Sequence, residues 1–342
     1  MNNTPDRLNN FDALRLSAAF LVLISHQFAL SGFPEPTVAS ISLGTLGVLI
    51  FFSISGFLVS QSWRQDPHFG RFLAKRFLRI WPGMAVFTLL AAFLLGPIVT
   101  TLNLRDYVAD PNFSGFFNTL KLLSIRGDLP GVFETNILPR AVNGSLWTIP
   151  LEVRCYFLLL LLGIVGLAKR PYIMALGTVL LGIYYFRFAP DPTDYQFHYA
   201  LYFFAGLCFD LFRKKWEERI VPPLTVICLL AGLLYLMDAP RVAALLLIAT
   251  FSIIFGSRST PIVNKFGRFG DFSYGVYIYA FAVQQTFMWY GGKRYPFMLG
   301  LLITSVTTVL CAYLSWHFVE NPALGLKSRL KTARINWPNL HS

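Results

Sequence analysis

Repeated apolar segments of about 20 residues constrain this chain more than any other feature of its sequence. A segment of that length crosses the hydrocarbon core of a bilayer as a helix, and lipid offers no partners for open backbone groups. Of the 342 residues, 55% are apolar and only 13% are charged, against about a quarter charged in a soluble domain. The composition excludes a disordered or nucleic-acid-binding chain and predicts an all-α polytopic integral membrane protein.

About ten segments are predicted to span the bilayer. They are 11–32, 41–62, 77–100, 146–168, 172–189, 198–212, 221–238, 241–256, 272–291 and 297–318. The fifth, sixth and eighth segments are short, which makes them the weakest part of the count. Because the sequence shows no flexible linker, low-complexity tract or repeat, residues 1–342 are expected to form a single transmembrane domain with no appended soluble domain.

The distribution of the 29 Lys and Arg residues predicts the orientation of the chain. Such residues collect in cytoplasmic loops, and most of them fall on one side if the N-terminus is cytoplasmic. Both termini are therefore expected in the cytoplasm. The 101–145 loop is then extracytoplasmic, either as a folded cap over a substrate opening or as a plain connector.

Ionisable residues inside the predicted spans are the first candidates for a site, because each costs about 2.5–3.5 kcal/mol or more near the bilayer centre. Arg15 and His26 are eleven residues apart, which places both on one face of the first span. The helical rise predicts that Glu152, in a span that enters from the opposite surface, is level with His26. We predict that Glu152 orients the His26 ring and stabilises its protonated form. The structural alternative for His26 is a satisfied polar residue in a helix interface.

Other ionisable residues favour structural roles. Arg154 cannot pair with its near neighbour Glu152 on a helix and needs a partner elsewhere. Asp210, at the end of the sixth span, is expected to face Arg213 or Lys214. The remaining histidines lack the spacing of metal ligands, so no metal is expected.

A basic segment follows the second span. Arg76 and Arg79 are three residues apart and face the same way on a helix, a spacing that suits paired contacts to phosphate oxygens. Anchoring to lipid headgroups is equally consistent with these arginines. The chain has no phosphate-binding loop, so a phosphorylated donor would be held by arginines.

Four motifs carry a resemblance to a known family over nearly the whole chain. They are the R-x10-H pattern in 11–26 (FDALRLSAAFLVLISH), S-G-F-L in 51–58 (FFSISGFL), R-x-x-R in 76–79 (RFLR) and S-L-W-x-x-x-x-E in 143–152 (NGSLWTIPLE). The chain resembles the acyltransferase-3 family of bacterial membrane proteins, which O-acetylate cell-surface glycans. One departure is Ala280, where many members have a His, so any role of that His in acceptor handling is absent or moved here.

The resemblance implies roles for particular residues. Arg76 and Arg79 would engage acyl-CoA from the cytosol, while Arg15 and His26 would line the path of the acyl arm. His26 would be the catalytic base, and Glu152 would stabilise the imidazolium that forms. Candidates for stabilising the oxyanion are Ser145, Trp147 and the backbone N–H groups near Ser55 and Gly56.

The expected function is therefore transfer of an acyl group, with acetyl as the default, from cytoplasmic acetyl-CoA to a hydroxyl of a glycan outside the bacterial inner membrane. The acceptor and the oligomeric state stay open. A secondary transporter or glycan flippase would also carry buried His, Arg and Glu, but it would bind acyl-CoA without consuming it. A membrane scaffold or sensor would tolerate replacement of His26 and Arg76.

Overall fold

Helices form almost all the regular structure of the chain. The structure is a computed structural model that describes residues 9–188 and 195–332. The first seven helices are α1 (Phe11–Leu30), α2 (Leu43–Gln65), α3 (Phe69–Leu90), α4 (Gly96–Val99), α5 (Leu104–Ala109), α6 (Pro111–Phe116) and α7 (Thr148–Ile164). They are followed by α8 (Pro171–Phe188), α9 (Tyr195–Leu211), α10 (Arg213–Glu217), α11 (Val221–Leu236), α12 (Pro240–Ser257), α13 (Ser273–Trp289), α14 (Phe297–Ser315) and α15 (Asn321–Thr332).

Short irregular segments connect some of these helices. A π-helical turn, Ala91–Leu95, joins α3 to α4, and a second, Trp316–Glu320, joins α14 to α15. Within the described residues, the sheet content is one antiparallel pair, β1 (Thr37–Val38) and β2 (Ile41–Ser42), in the turn between α1 and α2. The all-α prediction is confirmed.

Each of the ten predicted spans contains a helix, and within residues 9–188 and 195–332 six helical stretches are long and apolar enough to cross a membrane. Those six are Phe11–Leu30, Leu43–Gln65, Phe69–Val99, Pro171–Phe188, Pro240–Ser257 and Phe297–Lys327. The helices α7, α9, α11 and α13 have 16 or 17 residues, which is about 25 Å against a hydrocarbon core of about 30 Å. The chain is a multi-pass membrane protein, while the count of ten and the orientation stay predictions. Residues 1–8 and 333–342, on which the placement of the termini depends, lie outside the described residues.

The third helix begins eight residues before the predicted span. His68 caps it by accepting a hydrogen bond from the backbone N–H of Arg71 (3.4 Å), and Asp66 accepts from Arg71 and Lys75. The hydrogen bond from Arg71 lowers the pKa of Asp66 to about 2, and the positive charges of Lys75 and Arg71 add to the effect. The basic segment is thus the first part of a continuous helix, which carries Arg76 into the protein.

Two glycines lie where α2 crosses α9. A Cβ atom added to Gly56 would lie 1.8 Å from the carbonyl oxygen of Phe203, and one added to Gly206 would lie 2.0 Å from that of Ser53. Small residues at both positions let the two backbones touch, which is how helices associate closely in membranes. The glycine of the S-G-F-L motif therefore serves packing in this structure.

Asp210 has a different partner from the one predicted. Its buried carboxylate accepts two hydrogen bonds from Arg64 (2.8 and 2.6 Å) and one from Ser60 (2.7 Å). Arg213 instead bonds Glu217 one turn further along α10. The hydrogen bonds of Asp210 go to α2, because the tight crossing of α9 against α2 brings the Arg64 end of α2 directly to Asp210. The charge of Asp210 also attracts Arg213, one of the two residues expected to face it.

The 101–145 segment folds on itself. Its aromatic side chains Tyr107, Phe113, Phe116 and Phe133 are buried, and the Tyr107 hydroxyl donates to the carbonyl of Ala92 (2.9 Å). Isolated bridges pair Thr100 with Val132 and Asp128 with Ala141. Of the two alternatives for this loop, a folded segment therefore describes it better than a plain connector.

We expect Gly206→Ala to destabilise the protein, because its methyl group would collide with the backbone of Ser53. Overpacking of this kind costs about 1–3 kcal/mol. The matched control is Gly177→Ala on α8, where an added Cβ meets nothing within 4 Å and where alanine favours the helix by about 0.5–1 kcal/mol. Thermal unfolding in detergent would measure both variants, and equal melting temperatures would contradict the proposed crossing.

Candidate functional site

A cavity of about 120 Å³ lies between the helices that carry most of the predicted residues. Its walls come from α1, α2, α3, α7 and α13. The polar side chains that line it are Arg15, Ser55, Arg76, Arg79, Thr148, Glu152, Tyr156, Ser273, Tyr274 and Tyr277. Three of the arginines expected from the sequence therefore share one enclosed space, which we call the arginine cavity.

Asp271 links two of these arginines. Its carboxylate accepts from Arg79 at 2.6 Å, lies 3.2 Å from a guanidinium nitrogen of Arg15 and accepts from Ser273 at 2.5 Å. Burial acts to raise the pKa of the Asp271 carboxyl, but the charges of Arg15 and Arg79 and the hydrogen bonds from Ser273 and Arg79 hold it well below its usual range. The carboxylate thus stays ionised and neutralises one of the two positive charges. Arg15 also pairs with Asp12.

Arg76 has no such partner. Its guanidinium lies over the ring of Tyr156, with 5.9 Å from Cζ to the ring centroid, and its buried Nε atom has no hydrogen-bond partner. No ion pair to a carboxylate forms at Arg76 in the part of the chain that the structure describes. A guanidinium with a buried, unpartnered Nε atom and no ion-paired carboxylate is a candidate anion-binding group.

Glu152 lies in the wall of the same cavity. Its Oε1 atom accepts from the hydroxyls of Ser55 (2.6 Å) and Tyr156 (2.5 Å), and its charge attracts Arg76. Glu152 therefore belongs to the environment of the arginines.

His26 lies outside the arginine cavity and contacts Ser145. The Nδ1 atom of the ring is 3.3 Å from the Ser145 hydroxyl, and the edge of the ring packs against Phe281. Ser145 is fixed by Asn143, whose side-chain oxygen accepts from the Ser145 N–H (2.9 Å) and whose amide donates to the Ile278 carbonyl (2.6 Å). His26 and Ser145, which the sequence analysis singled out separately, are thus in contact.

The predicted pairing of His26 with Glu152 is not what the structure shows, since the two residues have separate partners. The prediction that Glu152 is level with His26 assumes that the fourth span begins at the membrane surface near Leu146. In the structure α7 begins at Thr148, while the preceding non-helical residues Asn143, Ser145 and Leu146 are already buried. Non-helical backbone is tolerated at membrane depth only where protein surrounds it. Ser145 therefore occupies the position beside His26, and Glu152 lies more than one turn further along α7.

A hydrogen-bonded wall separates His26 from the arginine cavity. The Tyr277 hydroxyl donates to the Ser145 carbonyl (2.7 Å) and lies 2.6 Å from the Thr148 hydroxyl. Both Thr148 and Tyr277 line the cavity on its other side. Two polar centres, the arginines and His26, are thus one layer of side chains apart.

The other predicted candidates have surroundings that differ from those expected or are structural. Trp147 is 40% exposed and packs against Tyr199 at 5.6 Å between ring centroids. Ser55 and Gly56 are interior to α2, where the backbone N–H groups already form the hydrogen bonds of the helix, so their proposed oxyanion role has no support.

Ala280 is buried in an apolar cluster that includes Ala19 and Leu23. Arg154 donates to Gln196 at 2.6 Å, which agrees with a structural role.

Several residues of the site escape sequence reasoning. Asp271 and Tyr156 touch the predicted arginines, but a carboxylate at a span boundary and a tyrosine within an apolar run give no specific signal. Lys327 is close enough to repel Arg76 and Arg79, and only the return of α15 along α3 reveals it. Glu320, buried and with one unpartnered oxygen, attracts Arg79.

The described residues 9–188 and 195–332 contain no group of three or more His, Cys, Asp or Glu side chains that could hold a metal ion. The polar groups available for a ligand are the arginines and the hydroxyls of the cavity wall.

The fold and the site define a multi-pass membrane protein with a buried cationic cavity. A family model described as an acyltransferase domain matches residues 8–317. The chain belongs to the acyltransferase-3 family, which confirms the resemblance found in the sequence motifs, and it is accordingly an acyltransferase.

Two curated relatives align over nearly their whole length. An "O-acetyl transferase" of Shigella phage Sf6 is 35% identical over 91% of this chain and 95% of its own. "Nodulation protein 10" of Rhizobium leguminosarum bv. viciae is 28% identical over 96% of both chains. No solved structure matches the chain significantly.

We expect Asp271→Asn to destabilise the protein, because it leaves Arg15 and Arg79 buried without the carboxylate that they share. Breaking a buried ion pair by removing one partner costs about 3–5 kcal/mol. Asp66→Asn is the control, since Asp66 bonds two cations outside the arginine cavity at a more exposed site and should cost about 1 kcal/mol or less. Thermal unfolding in detergent compares the two, and an equal loss would show that the Asp271 bridge is not special.

Proposed function

We propose that the protein is an O-acetyltransferase of the bacterial inner membrane. It takes an acetyl group from acetyl-CoA on the cytoplasmic side and transfers it to a hydroxyl of an extracytoplasmic glycan. The observation that carries this proposal is the Arg76 guanidinium, which lines the cavity, has a buried Nε atom without a hydrogen-bond partner and forms no ion pair with a carboxylate among the described residues. The cavity is one layer of side chains from His26. The phage relative is named an O-acetyl transferase, which supports acetyl as the transferred group.

The arginine cavity is the proposed donor end. Arg15, Arg76 and Arg79 line it, and Lys327 adds a further positive charge nearby. The carboxylates of Asp271, Asp12, Glu152 and Glu320 offset this charge, so the proposal depends on the guanidinium groups that line the cavity and not on a net positive charge. Guanidinium groups bind phosphate through parallel charge-assisted hydrogen bonds, so Arg76, with its Nε unoccupied, is the group proposed to make the strongest contact.

His26 is the proposed catalytic base at the acceptor end. When the Ser145 hydroxyl accepts a hydrogen bond from Nδ1–H, the second ring nitrogen Nε2 carries the free lone pair. That nitrogen removes the proton of the glycan hydroxyl as its oxygen attacks the thioester carbonyl carbon. The C–S bond then breaks, the new ester C–O bond remains, and the proton passes to the departing CoA sulfur. Ser145 is thus proposed to set the tautomer of His26.

Glu152 receives a revised role in this proposal. Because it bonds Ser55 and Tyr156 beside Arg76, it is proposed to position the wall of the donor end. The charge that acts on the His26 ring comes instead from Glu35, whose carboxylate accepts from the hydroxyl of the neighbouring Ser25. Glu35 is the proposed source of electrostatic support for an imidazolium.

The wall between the two ends has to open for the reaction. A thioester held by the arginines reaches His26 only when the contact between Tyr277, Thr148 and the Ser145 carbonyl separates. The cavity ends at this contact. Donor binding is therefore proposed to be coupled to movement of the Tyr277 side chain.

His26→Ala is expected to abolish acetyl transfer while the protein still inserts and binds donor, because only the proton-accepting group is lost. Ser145→Ala should lower turnover by about 10- to 100-fold, since the ring loses its tautomer partner but remains present. The control is His317→Ala, an exposed histidine that contacts the Tyr313 carbonyl and should leave transfer unchanged. Mass spectrometry of acetyl esters on surface glycans measures all three.

Full transfer by His26→Ala would eliminate this residue as the base. Parent protein that binds acetyl-CoA but never consumes it would favour the transporter or flippase.

Arg76→Lys is expected to weaken acetyl-CoA binding by about 1–3 kcal/mol, because a Lys point charge cannot reproduce the planar guanidinium fork. Arg79→Lys should weaken it less, since Arg79 is already engaged by Asp271. Arg154→Lys, at an exposed site bonded to Gln196, is the control. Isothermal titration of purified protein measures the affinities. Unchanged affinity in Arg76→Lys would leave the arginines as headgroup anchors.

A further inference from the structure

A second and larger cavity lies between α8, α9, α11 and α12. Its volume is about 670 Å³, and it shares no lining residue with the arginine cavity. Its walls are mostly aliphatic and aromatic, and they include Gly182, Phe186 and Leu245. The enzyme proposed above makes no use of this space, which we call the apolar cavity.

The Thr178 and Trp216 side chains in the walls of the apolar cavity form hydrogen bonds within the protein. The Thr178 hydroxyl donates to the Met174 carbonyl (2.8 Å) and lies 3.4 Å from the sulfur of Cys208. The Trp216 indole donates to the Phe209 carbonyl (2.8 Å). A cavity of this kind offers little to water, which needs two to four polar partners.

The dimensions of the apolar cavity match a hydrocarbon chain. Its lining runs along α8 from Ala175 to Phe186, eleven residues or about 16 Å of helix. Half of a bilayer core of about 30 Å is about 15 Å. Protein interiors are close-packed, and a void forfeits the dispersion contacts of its lining. In a membrane, the molecules that surround the protein and are able to fill such a space are lipids, through their acyl chains.

One of the described residues that line the apolar cavity is a cation, Lys215. Lys215 is exposed, donates to the Tyr172 hydroxyl (2.9 Å) and lies over the rings of Tyr172 and Phe212 at 5.1 and 5.4 Å. Across the described ranges 9–188 and 195–332, no carboxylate forms an ion pair with Lys215. An ammonium group has three donors, so two remain for an anionic group at the membrane surface.

We propose that the apolar cavity is a binding site for one anionic phospholipid. One acyl chain lies in the cavity along α8, and the phosphate of the headgroup contacts Lys215. The charge at the mouth, the apolar walls and the length of one leaflet together identify this occupant. The site is independent of the transfer reaction.

Filling the cavity tests the acyl-chain half of the proposal. An added Cβ at Gly182 lies 3.7 Å from Leu201, which is ordinary contact, so Gly182→Phe directs its ring into the cavity. Gly177→Phe is the control, because Gly177 is on the same helix, does not line the cavity and has open space around it. In native mass spectrometry of protein purified in mild detergent, the parent and Gly177→Phe should retain one phospholipid per chain, and Gly182→Phe should lose it. Equal retention by all three proteins would overturn the proposal.

Removing the cation tests the headgroup half without changing the packing of the cavity. Protein reconstituted with equal phosphatidylglycerol and phosphatidylcholine should retain phosphatidylglycerol preferentially. Lys215→Gln should reduce that preference about fivefold, the factor that corresponds to ~1 kcal/mol for one cation at a membrane surface. Lys214→Gln, the neighbouring exposed lysine that does not line the cavity, should keep it. An unchanged preference in Lys215→Gln would overturn the assignment of the headgroup.

Discussion

The carboxylate of Asp271 sets the relative positions of three helices on which the site depends. It pairs with Arg15 of α1 and Arg79 of α3, and it lies two residues before the start of α13. Two buried guanidiniums would repel each other in surroundings of low dielectric constant, so the shared anion allows them to lie side by side. Because α1 also carries His26 and α13 carries Tyr277, this one contact at the base of the site fixes the geometry at its far end.

The site is divided along the membrane normal. Arg15 and His26 are separated by about 16 Å of α1, and the layer of Tyr277 and Thr148 lies between them. In the proposed reaction this division keeps a charged donor on one side and a hydroxyl acceptor on the other, and only the acyl end of the donor crosses the layer. The same layer would restrict water at His26, which would limit hydrolysis of the thioester.

Sequence patterns predicted the helices well and the contacts between them less well. Apolar runs of the right length contain helices at all ten predicted positions, and the spacing of Arg76 and Arg79 placed both in one cavity. The predicted depth of Glu152 was wrong, because the rise of a helix cannot reveal that the non-helical residues before α7 are already buried. Asp271 was missed because its partners are 192 and 256 residues away in the chain, and local patterns carry no information about such distant contacts.

Ser145 belongs to the buried end of a folded loop and not to a helix. Its position is set by Asn143, which donates a hydrogen bond to the carbonyl of Ile278. Residues 101–142, which precede Asn143, also determine where Ser145 lies. Sequence changes in that loop are therefore able to shift Ser145 relative to His26 while every membrane helix stays in place. In the proposed reaction, a change in the loop would therefore alter the surroundings of the acceptor at His26, whereas the arginines, which lie on helices, would keep their spacing.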